Sequence, residues 1–406
     1  MRDILGQGGE RAARPWAWRL VVAAAVVLVA AVVLIEHLPG HPSRPARPGP
    51  ARAAAGPAPG SAESVPADEP DGISGQTLPW DASVRLPVTG RRPVWFWPAT
   101  GRTRPIGGLP DDASGYLFIR VPGGWAVQPD PAVAAARPGC GSCAGAPQPV
   151  YFLSEPAPAA TPVGLADDVA PGAATGTVWL TSYPTGADLG TAAGTAREVS
   201  VTGGAPGPQV RLPAGYVVVQ GTRRGLLLAP ATQHPGTAAY RLWDPAAPGV
   251  SRTFDGVIAA SPGEIAWAPP CSPACRVQVL DLATGRRTAI TLPQGSSAAN
   301  GAFSPDGAFL ALEVSFYNGG DAGALALQLD VASMSSGRLT AVPGTWVSSD
   351  ALAGFGWPAA GDTLIAELSF TTKVQLASWR PGAARLAVAA TKPGQAAGSL
   401  IVGYPP

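Results

Sequence analysis

Polar and apolar positions divide the chain into three stretches of different rhythm. The first contains an unbroken apolar run from Leu20 to Ile35, LVVAAAVVLVAAVVLI. At about 1.5 Å of rise per residue, a helix needs slightly more than this run to cross the ~30 Å hydrocarbon core of a bilayer. Its neighbours supply the rest, with Trp16 and Trp18 placed for an aromatic belt, Arg19 able to snorkel to the headgroups, and Leu38 extending the far end. The pattern predicts an anchor helix over 17–38 behind a cytoplasmic tail over 1–16. Arg11, Arg14 and Arg19 at the entry and Glu36 at the exit orient the N-terminus inward. A cleaved signal segment is the competing reading, but its first small-residue cleavage candidate, Ala53 to Ala55, lies far downstream. The second stretch, 39–79, is dominated by proline, alanine and glycine without apolar periodicity, which predicts a disordered, extended stalk. The remainder is therefore expected outside the cell, carried on a single-pass anchor.

The third stretch, 80–406, shows no long helical period. Short alternating apolar segments run into Pro/Gly/Asp turns and then into second short strands. Units of this kind begin at Val94, Val150, Ala196, Ala239, Val277, Leu325 and Val374, 38 to 56 residues apart, close to the period of about 40–50 residues of propeller blades. The predicted fold is all-β: one closed β-propeller of seven blades, with six blades or two β-sandwich-like domains as alternatives. The unit at Ala196 is the weakest of the seven. The last apolar stretch, Ser399 to Tyr404, is expected to complete the first blade and close the ring, which removes exposed strand edges.

One turn carries a more specific signal. Ser304-Pro305-Asp306-Gly307, preceded by Phe303 and followed by AFLALEV, resembles the strand-turn-strand signature of WD-like propeller repeats of the TolB type. Weaker echoes stand at Ala260-Ser261-Pro262-Gly263-Glu264 and at Trp357-Pro358-Ala359-Ala360-Gly361-Asp362, where the Asp-Gly pair is lost. In such repeats the Pro-Asp-Gly turn joins the inner strands of a blade, and the resemblance implies a role in protein-protein contact. The turn has a general physical basis, since proline presets φ and glycine tolerates positive φ. Cys271 and Cys275, followed by RVQVLDLATG, resemble the loop-strand arrangement of membrane-anchored propellers of actinobacterial type. The scarcity of lysine, found only at Lys373 and Lys392, agrees with such a coding bias.

Composition narrows the chemistry. The 51 glycines and 46 prolines among 406 residues are roughly twice the average usage of about 12%, as turn-dense β structure requires. Charged residues make 14% of the chain with a net charge of +1, which lacks the basic footprint of a nucleic-acid binder. The four cysteines form two local pairs, Cys140/Cys143 and Cys271/Cys275. Outside the cytoplasm they are expected to form two structural disulfides. A zinc site from all four has acceptable spacing but the wrong compartment, and a redox-active CxxC at Cys140 lacks a βαβ context. His37 and His41 flank the anchor, which leaves His234 alone in the globular part, and no GxSxG elbow accompanies it. No cofactor and no catalytic residue is predicted.

Asp111/Asp112 and Asp167/Asp168 read as turn formers, while Asp306, Asp321 and Glu367 stand singly. Asn318-Gly-Gly-Asp321 has the composition of a calcium loop and, more commonly, of a tight turn. Most tryptophans beyond Trp80 should fill the seams between blades, with Trp346 and Tyr183 as candidates for a ligand-facing platform.

Two functions fit. The first is a non-enzymatic interaction module for a protein partner or an envelope polymer. The alternative is a hydrolase or lyase acting on an envelope glycan or peptide. Carboxylates from different blades meeting in one pocket would mark the enzyme, and an open apolar or aromatic face would mark the binder.

Overall fold

The computed structural model describes residues 80–390 apart from 90–91, 112–114, 130–145, 156, 158, 232–238, 250, 270–274, 318–324, 349–351, 359–361 and 370–373. Every regular element in the described residues is a strand, and each sheet is an antiparallel meander in chain order. Blade 1 holds β1 (Leu86–Val88), β2 (Val94–Trp97) and β3 (Arg102–Pro105). Blade 2 holds β4 (Tyr116–Val121), β5 (Gly124–Pro129), β6 (Gln148–Ser154) and β7 (Thr161–Ala166). Blade 3 holds β8 (Asp168–Pro171), β9 (Thr177–Ser182), β10 (Thr195–Ser200) and β11 (Gln209–Arg211). Blade 4 holds β12 (Tyr216–Thr222), β13 (Gly225–Pro230), β14 (Ala239–Trp243) and β15 (Ser251–Asp255). Blade 5 holds β16 (Val257–Ala260), β17 (Glu264–Trp267), β18 (Arg276–Asp281) and β19 (Arg287–Thr291). Blade 6 holds β20 (Ser296–Phe303), β21 (Phe309–Tyr317), β22 (Leu325–Ser333) and β23 (Leu339–Ala341), with β24 (Val347–Ser348) also paired to β22. Blade 7 holds β25 (Leu352–Gly356), β26 (Leu364–Ser369), β27 (Val374–Trp379) and β28 (Ala387–Ala390).

These seven blades form a β-propeller. The first strands of neighbouring blades pack together, β4 on β8, β8 on β12, β16 on β20 and β20 on β25, so the first strand of each blade is innermost. The seven units read from the sequence correspond to β2–β3, β6–β7, β10–β11, β14–β15, β18–β19, β22–β23 and β27–β28. Six of them are the outer hairpins of their blades. The weak unit at Ala196 is a real hairpin, so the six-blade alternative falls.

A blade has two faces and each must be covered, because burying apolar surface is the main favourable term in folding. The buried apolar residues form seven clusters, one at each seam. Trp95, Phe118 and Trp125 join blades 1 and 2, and Phe152, Val169 and Leu180 join blades 2 and 3. Leu212, Leu228 and Trp243 join blades 3 and 4, and Leu227, Phe254 and Ile265 join blades 4 and 5. Ile258, Ile290 and Leu312 join blades 5 and 6, and Leu329, Phe355 and Trp379 join blades 6 and 7. The seventh cluster joins the ends of the ring, with Trp80, Leu86, Val88 and Phe96 packed on Ile365, Leu376, Ala387 and Ala389. The ring therefore closes by side-chain packing, and two independent sandwiches are excluded. The strand expected from Ser399 to Tyr404 lies outside the described residues, as do the anchor, the stalk and the cytoplasmic tail. No helix among the described residues is long and apolar enough to cross a membrane.

The inner strands of blades 4 to 7 share a device that the sequence pattern did not reveal. Each shifts register near its middle, at Val218/Gln220, Val257/Ala259, Ala298/Asn300 and Leu352/Gly354. Such bulges add local twist.

Candidate functional site

The turns from first to second strand in blades 2 to 7 all emerge on one face and surround a cavity of about 720 Å³ at the mouth of the central channel. Pro122 and Gly123 turn blade 2, and Gly123 adopts a φ of 94° that a side chain would strain. Ala173 and Thr175 come from blade 3, Arg223 from blade 4, Ser261, Pro262 and Gly263 from blade 5, Ser304 to Gly307 from blade 6, and Trp357 from blade 7.

Hydrogen bonds through backbone groups knit this rim from blade to blade. Gly176 N donates to Pro122 O at 2.9 Å, and Arg223 N donates to Pro262 O at 2.9 Å. Gln220 Nε2 reaches Gly172 O at 3.4 Å, and Arg224 Nε donates to Leu282 O at 2.7 Å. Trp357 Nε1 donates to Ala302 O at 2.9 Å. A Cβ on Gly307 would stand 3.0 Å from Glu264 Oε2, so blades 5 and 6 also touch closely here.

The Ser304-Pro305-Asp306-Gly307 turn joins β20 to β21, the inner pair of blade 6. Ser304 Oγ donates to Asp306 Oδ1 at 2.7 Å and accepts from Phe309 N at 2.9 Å, while Asp306 Oδ1 also accepts from Ala308 N. These bonds hold the Asp306 carboxyl below its ordinary value. In the echo in blade 5, Ser261 Oγ accepts from Gly263 N and Glu264 N.

Charge is segregated around the mouth. The lining of blades 2 and 4 supplies Arg120 and Arg223, whereas that of blades 5 and 6 supplies Glu264, Asp281 and Asp306. Arg120 Nη1 pairs with Glu155 Oε1 at 2.8 Å, and its guanidinium lies 4.8 Å from the Trp125 ring centroid. Trp125 Nε1 donates to the same Glu155 oxygen at 3.1 Å, so the arginine is clamped on two sides. Its Nη2 is buried and has no hydrogen-bond partner among the described residues. Glu264 opens β17 directly opposite Asp281. Burial, then Asp281 and Asp306, push its pKa up to about 7 against the opposing pull of Arg286. Asp281 is held low, chiefly by the hydroxyl and backbone N–H of Thr284.

Other candidates from the sequence fall elsewhere. Tyr183 is buried and donates its hydroxyl to Tyr216 O at 2.8 Å, so it is a packing residue and forms no platform. Burial raises its pKa. Trp346 is half-buried against Phe316, with ring centroids 4.7 Å apart, far along blade 6 from the mouth. Asp167 accepts from Tyr183 N and Asp168 from Val169 N, both at the junction of blades 2 and 3. Glu367 is buried within blade 7. Asp111 is exposed, while Asp112 lies outside the described residues with Cys140, Cys143, Cys271, His234 and the Asn318–Asp321 loop. Cys275 is disulfide-bonded, and the cysteine it pairs with also lies outside them. No cluster of three metal-ligating side chains occurs among the described residues.

Fold and mouth together define the class: a seven-bladed β-propeller with a charged pocket at one end of its channel. No family model matches the chain, and no curated protein matches it. Among solved structures, the chain is similar to one from a study of two prolyl endopeptidases, with TM-score 0.50 and 14% identity over 78% of this chain and 49% of that one. It is similar also to an acylaminoacyl peptidase solved with a chloromethyl ketone, at TM-score 0.48 and 12% identity over 75% and 48% of the two chains. TolB from Acinetobacter baumannii follows at TM-score 0.30 and 16% identity over 49% of each chain. This chain spans about half the length of each. At such identities the likeness shows the fold alone.

Proposed function

We propose that this propeller is a non-enzymatic interaction module that holds a segment of a protein partner at the mouth of its channel, displayed outside the cell on a membrane anchor formed by 17–38. The observation that carries the reading is the rim itself. Six blades converge on one cavity, and the serine hydroxyls and aspartates of its turns are already engaged in holding those turns. Ser261, Ser304, Asp281 and Asp306 all spend their hydrogen-bonding capacity on neighbouring backbone or side chains, which suits a rigid, preorganised docking site. A nucleophile would instead need an adjacent free base. The anchor and the extracellular setting rest on the apolar run and the arginine bias of the N-terminal stretch.

A second reading has one specific support. Carboxylates of blades 5 and 6 do meet, and Glu264 with a pKa near 7 beside Asp281 and Asp306 held low is the split that acid-base pairs use. A hydrolase would act here with Glu264 as the acid.

The experiment uses the full chain in its native membrane, with a photo-reactive residue at Ala283 in the mouth or at Arg104 on the exposed edge of blade 1. One polypeptide should be captured from position 283 and not from 104. Equal capture at the two positions, or none, would overturn the binding reading. Release of product from peptide or glycan substrates, abolished by Glu264→Gln, would establish the enzyme instead.

A further inference from the structure

We infer that the mouth selects its partner by two opposed charge readers, with Arg120 taking a carboxylate and Glu264 a basic side chain, so that the fitting ligand is a short polypeptide segment carrying both charges. This deepens the binding reading above and rests on it.

Three observations lead there. First, Arg120 lines the cavity with a side chain only 19% exposed, fixed in place by Glu155 and Trp125, so that its guanidinium sets the sign of charge on the blade 2 side of the mouth. A ligand carboxylate at the mouth meets this fixed positive group with matching charge. Arg223, exposed on the blade 4 turn and without a described ion-pair partner, adds positive potential on the same side.

Second, the lining of blades 5 and 6 carries only acidic charge. Glu264 is half-buried between Asp281 across the strand pair and Asp306 on the neighbouring turn, with Arg286 the one cation that acts on it. Burial, and then the neighbouring carboxylates of Asp281 and Asp306, disfavour the charged form of Glu264, and a ligand cation offsets the repulsion from those two aspartates. Third, about 720 Å³ falls within the range of roughly 300–1,000 Å³ typical of sites for small ligands. Such a space admits a few residues of chain and no folded surface. Polyanionic envelope polymers offer one sign of charge only, whereas a polypeptide presents both signs at short spacing.

The test titrates the full chain calorimetrically, at low salt, with four pools of heptapeptides that differ only in containing Asp and Lys, Asp alone, Lys alone, or neither. The mixed-charge pool should bind at least tenfold tighter than the neutral pool. Arg120→Gln should remove the advantage contributed by Asp and leave the Lys-only pool unchanged, and Glu264→Gln should do the reverse. If Arg120→Gln fails to fold, Arg223→Gln, at an exposed position, should weaken the two Asp-containing pools in a salt-dependent way. Equal affinity for all four pools, or mixed-charge binding that neither Glu264→Gln nor an arginine variant alters, would overturn the inference. Absence of binding by every pool also overturns it; if capture at position 283 persists, the interaction module stands, and if capture fails too, both readings fall together.

Discussion

Gly307 turns the chain at a φ of 70° between β20 and β21. An L side chain in that region costs roughly 1–2 kcal/mol, and here the added carbon also meets Glu264. Gly307→Ala should therefore lower the unfolding free energy read from a urea titration by more than that amount, whereas Gly285→Ala, with similar φ but open space around it, should cost only the backbone part. Protonation acts at the same scale. Burial raises Glu264 and Glu367 to about 7 and Asp168 and Asp330 to about 6. Each of these groups binds its proton more tightly when folded, so its stabilising share is complete below the ordinary carboxylate range and is lost as pH rises through 6 to 7. Asp81, Asp281 and Asp306, held low by hydrogen bonds, act in the opposite sense below about pH 4. The melting temperature should thus be highest near pH 4 and fall as pH rises through the folded pKa values of about 6 to 7. Glu367→Gln should flatten that fall, and a melting temperature that climbs from pH 5 to 8 would contradict the burial argument.

Between elements, the seam of blades 7 and 1 decides whether the ring holds. Two kinds of contact cross it. Arg380 pairs with Asp81 at 3.2 Å, but both side chains are largely in water, at 60% and 40% exposure. Exposed pairs contribute little, with a median of about 0–1 kcal/mol. Trp80 is buried with Leu86 and Phe96 against Ile365 and Leu376, and emptying a buried tryptophan site costs about 3–5 kcal/mol. Trp80→Ala should therefore depress the melting temperature several-fold more than Arg380→Ala, as read by calorimetry. Equal effects would mean that the ion pair, and not the apolar seam, closes the ring. The outer hairpins were readable from the sequence because their faces alternate, as over Arg276 to Val279 of β18, where Val277 and Val279 are buried and Arg276 and Gln278 are more exposed. The inner strands were harder to see. β13 runs Leu226, Leu227 and Leu228 with both faces buried, so alternation vanishes where burial is most complete.

For the whole molecule, blade 1 shows three strands among the described residues, and the edge of β3 is exposed throughout. A chain ending at Gly398, which removes the segment expected to pair there, should melt lower and less cooperatively, because an open edge replaces a paired one. An unchanged transition would show that packing at the blade 7–1 seam suffices by itself.

The sequence by itself determined the all-β class and the position of one hairpin in each blade, while six blades and two sandwiches stayed open, because period-two alternation and Pro/Gly turns are local consequences of backbone sterics and of covering one face at a time. It also marked the turn at Ser304–Gly307, whose proline and glycine are demanded by the bend itself. What only the tertiary structure decided is the site. Arg120, Arg223, Glu264 and Asp281 stand far apart in sequence, in strands and turns of three blades, and nothing local distinguishes them from other charged residues near turns. They meet because the apolar seams between blades arrange the first turn of each sheet around one axis. The orphaned donor of Arg120 and the raised pKa of Glu264 arise from what surrounds them after that arrangement, and no short-range pattern can encode it.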